Sequence, residues 1–168
     1  MLTPGRSLPL PSSVSPRIPL LLCALAGLSA CSDAKREHAL PPPEARRLLL
    51  DRNWLDRLPQ SPQDRLHVFR FVPSMGGGVF QDRTLYAGHF ELFNFDQDGR
   101  TIHFKLPHTG EDRRAAFFIE PRPEDDTPFE LHLHIADSPR GPRDYYSLRG
   151  ESSANLDASL DAALKPRR

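Results

Sequence analysis

The chain predicts an all-β fold: an antiparallel up-and-down meander, closed into a barrel of roughly eight strands and followed by a short C-terminal helix. Three observations carry this. All ten phenylalanines lie between Phe69 and Phe129, in short runs separated by Gly, Pro and Asp clusters. Within those runs apolar and polar residues alternate with a period of two, the pattern of a strand with one buried face. No gap after Thr84 is long enough for a crossover helix, so consecutive strands pair antiparallel.

The predicted strands are Leu66 to Val72, Thr84 to Phe95, Thr101 to Leu106, Ala115 to Glu120, Phe129 to Ile135 and Asp144 to Arg149. Between them lie PSMGGGVFQDR, DQDGR, PHTGEDRR, PRPEDDTP and ADSPRGPR, where proline cannot donate to a ladder and glycine permits positive φ. Further strands around Trp54 and around Val79-Phe80 bring the number to about eight, and closure removes the naked edges. Ile102, Phe104 and Leu106 share one face, as do Phe129, Leu131, Leu133 and Ile135. The opposite phases carry His103, Lys105, Glu130, His132 and His134, so one side is apolar and the other wet. In Thr84 to Phe95, Phe90 and Leu92 point one way and Phe93 and Phe95 the other. That predicts a long, bent strand covered on both faces near its end.

Ahead of the strands, Glu44 to Leu50 suits the start of a helix, with Glu44 well placed near its N-terminus. Leu48 to Leu58 equally suits a first strand carrying Trp54 inward, and periodicity leaves residues 44–58 open between the two. At the other end Leu156, Leu160, Ala163 and Leu164 form one helical stripe within Ser152 to Lys165, which predicts a short helix outside the sheet.

The first 30 residues have a different character. Arg6 and Arg17 give residues 1–17 positive charge with no acid, Ile18 to Ala26 is apolar, and Gly27 to Ala30 is small. Ile18 to Ala30 spans thirteen residues, whereas a helix needs about 20 to cross a bilayer. Leu28-Ser29-Ala30-Cys31 then resembles the lipobox of bacterial lipoproteins. The resemblance implies that residues 1–30 are a signal peptide and that Cys31, lipidated, is the mature N-terminus and the membrane anchor. Each buried methylene contributes about 0.8 kcal/mol, so several acyl chains make a lasting attachment. Ser32, not Asp, follows the cysteine, and by the same resemblance this implies delivery to the periplasmic face of the outer membrane. Residues 31–43, ending in three prolines, read as a flexible tether. Residues 44–150 form the barrel domain and residues 151–168 the C-terminal helix and tail.

Removing 30 of the 168 residues leaves 138, enough for one domain with a real core. Arg6 and Arg17 leave with the signal, so 20 basic residues face 22 acidic ones, a net charge of −2. No basic stripe remains, which speaks against nucleic acid as a partner. Cys23 lies in the apolar run of the signal, and beyond Cys31 there is no thiol, so the exported domain holds together without disulfides.

The order of features, a tryptophan near the start, a long meander and a late helical segment, resembles the lipocalin or calycin plan over about residues 48 to 165. That family's signature is Gly-x-Trp, and this chain has Arg52-Asn53-Trp54 in its place. Trp54, Asp56, Arg57 and Pro59 also resemble the Trp-x-Asp-Arg/Ser-x-Pro start of small lipoproteins with no assigned activity. The lipocalin-like plan implies a barrel that holds one small apolar ligand.

Motifs for chemistry are few. His132-Leu133-His134 sets two imidazoles about 7 Å apart on one face, a spacing some zinc sites use, with Glu130 beyond and His103 or His89 as third ligands. A wet, polar-patterned strand explains the same residues, and no metal is expected. Gly76-Gly77-Gly78 lacks the Lys and Ser/Thr of a phosphate loop and reads as a turn. Asp96-Gln97-Asp98-Gly99 has its glycine too early for a calcium loop and reads as a hairpin turn. Glu91, Glu120 and Glu130 are carboxylates that the sequence cannot bring together. Ser138 to Arg143 is a stiff loop with two arginines, suited to an anion or to solvent. No cofactor or enzyme motif is present. The expectation is therefore a lipid-anchored, non-enzymatic binder of a small hydrophobic ligand, lined by Trp54, Phe104, Leu131 and Leu133. The alternative is a structural or interaction lipoprotein with a filled barrel and no ligand.

Overall fold

The computed structural model describes residues 38–123, 127–150 and 156–164. Helix α1, Pro42–Leu49, opens on Pro42 and Pro43, at positions where no intrahelical donor is needed. Glu44 in its first turn and Arg46 and Arg47 in its last suit the helix dipole. Asp51, at φ 54°, then reverses the chain, and its backbone N–H donates to the Phe71 carbonyl at 2.8 Å. Strand β1, Asn53–Leu55, follows. The stretch that periodicity left open thus holds both elements, helix first and strand second.

The remaining strands are β2 Leu66–Val72, β3 Gly77–Arg83, β4 Gly88–Asp98, β5 Thr101–Leu106, β6 Glu111–Pro121, β7 Phe129–Ile135 and β8 Asp144–Leu148. Every neighbour pair is antiparallel, and the sheet closes into a barrel in the order β1 to β8. The seam is narrow: β1 meets β8 through the single pair Leu55 and Tyr146. Arg52 reinforces it, donating to Ser147 Oγ at 2.9 Å and pairing with Glu130. Helix α2, Leu156–Leu164, lies outside the same seam. Its buried Leu160 packs with Leu55, Leu66, Val68 and Leu148, and Asp157 pairs with Arg83 at 2.8 Å.

Five expectations need correction. The strand placed at Ala115 to Glu120 runs from Glu111 to Pro121, because Glu111 to Arg114, read as part of a loop, pair with Leu106 to His103 of β5. The chain reaches the barrel before the end of the expected tether: the Leu40 N–H donates to the Ile119 carbonyl at 2.8 Å, and Arg100 donates to the Leu40 carbonyl at 2.9 Å. The strand placed at Thr84 to Phe95 runs from Gly88 to Asp98, because Thr84 Oγ1 accepts from the N–H groups of Tyr86 and Ala87 and closes a turn. The Gly76 to Gly78 run is not all turn. Gly76 caps a 3₁₀ turn at φ 74°, while Gly77 and Gly78 belong to β3. A Cβ on Gly78 would lie 2.7 Å from Phe93 Cε2 and 2.6 Å from the Arg70 carbonyl, so the bare backbone is what admits the Phe93 ring. Finally, Phe90 and Leu92 are not covered; both are exposed on the outer face of β4.

Candidate functional site

The interior expected to receive a ligand is occupied by the protein's own rings. Phe69 and Phe71 on β2, Phe80 on β3, Phe93 and Phe95 on β4 and Phe104 on β5 interleave with centroid separations of 4.9 to 6.2 Å. Tyr145 on β8 meets Phe69 edge-on at 5.2 Å. The four residues named for ligand contact, Trp54, Phe104, Leu131 and Leu133, are all buried in this one cluster. Alternation placed Phe104, Leu131 and Leu133 on the inner phase, and all three are buried there; for Trp54 periodicity leaves helix and strand open. What it could not show is how far rings from facing strands reach toward one another.

Both ends of the barrel are covered. At one end α1 lies across the opening with Ala45 and Leu49 buried, and the Trp54 indole N–H donates to the Leu49 carbonyl at 3.0 Å. The tryptophan thereby satisfies a carbonyl that the helix terminus leaves without an intrahelical donor. At the other end Arg140, from the β7–β8 loop, reaches across to β4. Its Nε and Nη2 donate to Glu91 at 2.7 and 3.0 Å, and Nη1 to Glu111 at 3.4 Å. The hydrogen bonds that Arg140 donates to Glu91 raise the guanidinium above its ordinary value. Beneath it the buried Tyr145 hydroxyl donates to the Arg140 carbonyl at 3.0 Å, and burial pushes this hydroxyl well above the ordinary phenol value. The arginine loop is thus a latch on the barrel and not a free anion site. Its signal in the sequence was faint: nothing local links Arg140 to a glutamate 49 positions earlier.

The three carboxylates separate. Glu91 belongs to this latch, Glu130 to the seam with Arg52, and Glu120 faces His132 Nδ1 at 3.5 Å. His132 and His134 do meet a common partner, the Asp144 carboxylate. Its Oδ1 lies 2.8 Å from His132 Nε2 and 2.8 Å from His134 Nδ1. Antiparallel register puts Asp144 opposite His134, a pairing that sequence spacing does not reveal. Burial would raise the Asp144 carboxyl, but the hydrogen bonds with His134 and His132 outweigh it and hold the group below its ordinary value. Phe118 stacks on His134 at 4.9 Å and Tyr146 on His132 at 5.1 Å, fixing both rings. His103 lies on β5 and His89 on β4, with β6 between them and β7. Among the described residues no group of three or more His, Cys, Asp or Glu is arranged to hold a metal ion.

Among the described residues the large exposed apolar side chains are Phe90 and Leu92 on β4, Tyr86 in the turn before it and Met75 in the 3₁₀ turn, with Tyr86 beside Phe90 and Met75 beside Leu92. Single exposed apolar side chains are ordinary, whereas a contiguous set marks a place of contact. Cys31, the predicted lipidation site, lies outside the described residues. Among the described residues no helix is long and apolar enough to cross a membrane. Compared with known proteins, the chain matches no family model, no curated protein and no solved structure.

Proposed function

We propose that this chain is a lipid-anchored, non-enzymatic protein of the cell envelope, whose barrel is a filled scaffold and whose work is done by its outer surface. The anchor rests on the sequence: cationic start, apolar run and Leu28-Ser29-Ala30-Cys31 stand in the order that bacterial lipoproteins use. Cys31 then carries the acyl chains, and Ser32 behind it fits the periplasmic face of the outer membrane. The observation that carries the scaffold reading is the mutual packing of the interior rings between two covered ends. A pocket for a small molecule needs concave free space with a few convergent polar groups. Here the residues that would line it are already one another's partners. This favours the filled barrel over a barrel with an apolar ligand.

Trp54 provides the test, being the chain's single tryptophan and a member of the interior cluster. Titration with fatty acids and lysolipids below their micelle concentrations should leave its fluorescence unchanged. A saturable change at one ligand per chain would overturn the scaffold reading in favour of a ligand-binding barrel.

A further inference from the structure

On the outer face of β6, β7 and β8 the two histidines of His132-Leu133-His134 aim at one point. Register sets Glu120 and Tyr146 on either side of His132, and Phe118 and Asp144 on either side of His134. His132 Nε2 and His134 Nδ1 both lie 2.8 Å from the same oxygen, Oδ1 of Asp144. A ring nitrogen directs its N–H, or in the other tautomer its lone pair, along one line in the ring plane. The two lines therefore cross where Asp144 Oδ1 stands. Both rings are held in that attitude, by Tyr146 stacked on His132 at 5.1 Å and Phe118 on His134 at 4.9 Å. Glu120 Oε2 faces the other nitrogen of His132, Nδ1, at 3.5 Å. The histidine side chains are 15% and 19% exposed and Asp144 is 44% exposed, so the carboxylate has room to swing outward while the imidazoles stay. A solvated strand accounts for histidines at these two positions. It does not account for unlike nitrogens of both rings meeting one oxygen with a second carboxylate behind them.

We propose that this cluster binds a divalent ion of the zinc class, held by His132 Nε2, His134 Nδ1 and the Asp144 carboxylate. The site goes beyond the scaffold reading and does not depend on it. As the side chains stand they do not surround an ion, because the carboxylate oxygen itself occupies the crossing point. Zinc bonds imidazole nitrogen at about 2.0 to 2.1 Å and carboxylate oxygen at about 2.0 to 2.2 Å. With the ion at the crossing point, each imidazole moves inward by about 0.7 Å and the carboxylate oxygen withdraws by about 2 Å. The donor set selects the ion: two imidazoles and a carboxylate suit zinc or copper, whereas calcium and magnesium take oxygen ligands. Proton placement fits as well. With its Nε2 lone pair on the ion, His132 keeps its proton on Nδ1, facing Glu120. A carboxylate behind the far nitrogen is what orients a ligating imidazole. His134 keeps its proton on Nε2. Two carboxylates beside two neutral imidazoles give these four side chains a net negative charge, which a divalent ion offsets. Three protein ligands leave a fourth position to water on the solvent side, so the ion exchanges and does not staple the fold.

The test uses the full chain, purified in detergent and stripped with EDTA. Zinc chloride added in a calorimeter should bind saturably at one ion per chain. Glu120→Gln, which changes only the carboxylate behind His132, should weaken that binding roughly tenfold. His132→Gln, His134→Gln and Asp144→Asn each remove a ligand and should weaken it further. His103→Gln, on β5, should leave it unchanged. Urea unfolding of each variant in EDTA, where the cluster is the hydrogen-bonded one, separates a lost ligand from a lost fold. A measurement on the unaltered chain needs no variant: imidazole nitrogen NMR should place zinc on Nε2 of His132 and on Nδ1 of His134. No saturable zinc binding overturns the site, as does full-strength binding in a folded variant of any of the three ligands. Zinc found on other nitrogens overturns it too. An apolar ligand revealed by the Trp54 titration would remove the scaffold reading and leave this site standing, so the two failures are distinct.

Discussion

Phe104 touches the rings of Phe69, Phe71 and Phe93 and is almost wholly buried. Truncating it opens a hole that the surrounding rings cannot collapse to fill, and Phe104→Ala should cost about 3 to 5 kcal/mol in urea unfolding. Leu133→Ala should cost about 2 to 5 kcal/mol for the same reason. Gly78 makes the complementary case. Its missing side chain is the room that Phe93 occupies, so Gly78→Ala should destabilise by about 1 to 3 kcal/mol through overpacking. Period-two alternation made Phe104 and Leu133 legible as inner residues. Gly78 was not legible, because a glycine in a Gly-Gly-Gly run looks like a turn until the ring that needs its space is known.

Among the elements, β7 and β8 carry a pH dependence whose sign follows from Asp144. Unfolded, its carboxyl titrates near the ordinary 3.8, and folded it titrates lower because His132 and His134 hydrogen-bond the ionised form. Above the ordinary value both states are ionised and the stabilisation is complete. As pH falls through that value toward the folded one, the unfolded chain takes up a proton first and the stabilisation drains away. Between about pH 5 and pH 3 the wild type should therefore lose more stability than Asp144→Asn, measured by denaturant midpoints. Asp144 is half exposed, so the difference should be modest. Helix α2 makes a second prediction at this scale. Leu160 covers the seam that β1 and β8 close with one residue pair. Leu160→Ala should cost about 2 to 5 kcal/mol and should raise amide exchange first in β1 and β8. The helical stripe was readable at Leu156 and Leu160; its destination on the seam was not, since a stripe names a face and not the surface it meets.

For the molecule as a whole, the anchor and the barrel make separable predictions. Labelling with a clickable palmitate should mark the wild-type chain and not Cys31→Ala, and label persisting in the variant would remove Cys31 as the anchor. The covered ends predict a rigid interior. Arg140→Ala releases the bonds to Glu91 and Glu111, and should loosen the β7–β8 loop with a rise in amide exchange near Tyr145 while the barrel stays closed. An unchanged exchange pattern would mean that the latch holds nothing.

The phases of the regular strands and the antiparallel order were present in the chain, because a buried face, a proline and a short gap each act locally; turn boundaries at Gly77, Thr84 and Glu111 were not. The closed barrel follows from those local facts together with the need to hide two edges. Two things lay beyond that reach. Whether the inner rings leave a chamber depends on how side chains from opposite strands interdigitate. The Arg140–Glu91 latch and the Asp144–histidine cluster depend on register and loop path, which bring together residues 49 and 10 to 12 positions apart. Each is a relation between distant segments, and folding creates it only when the backbones are already in place.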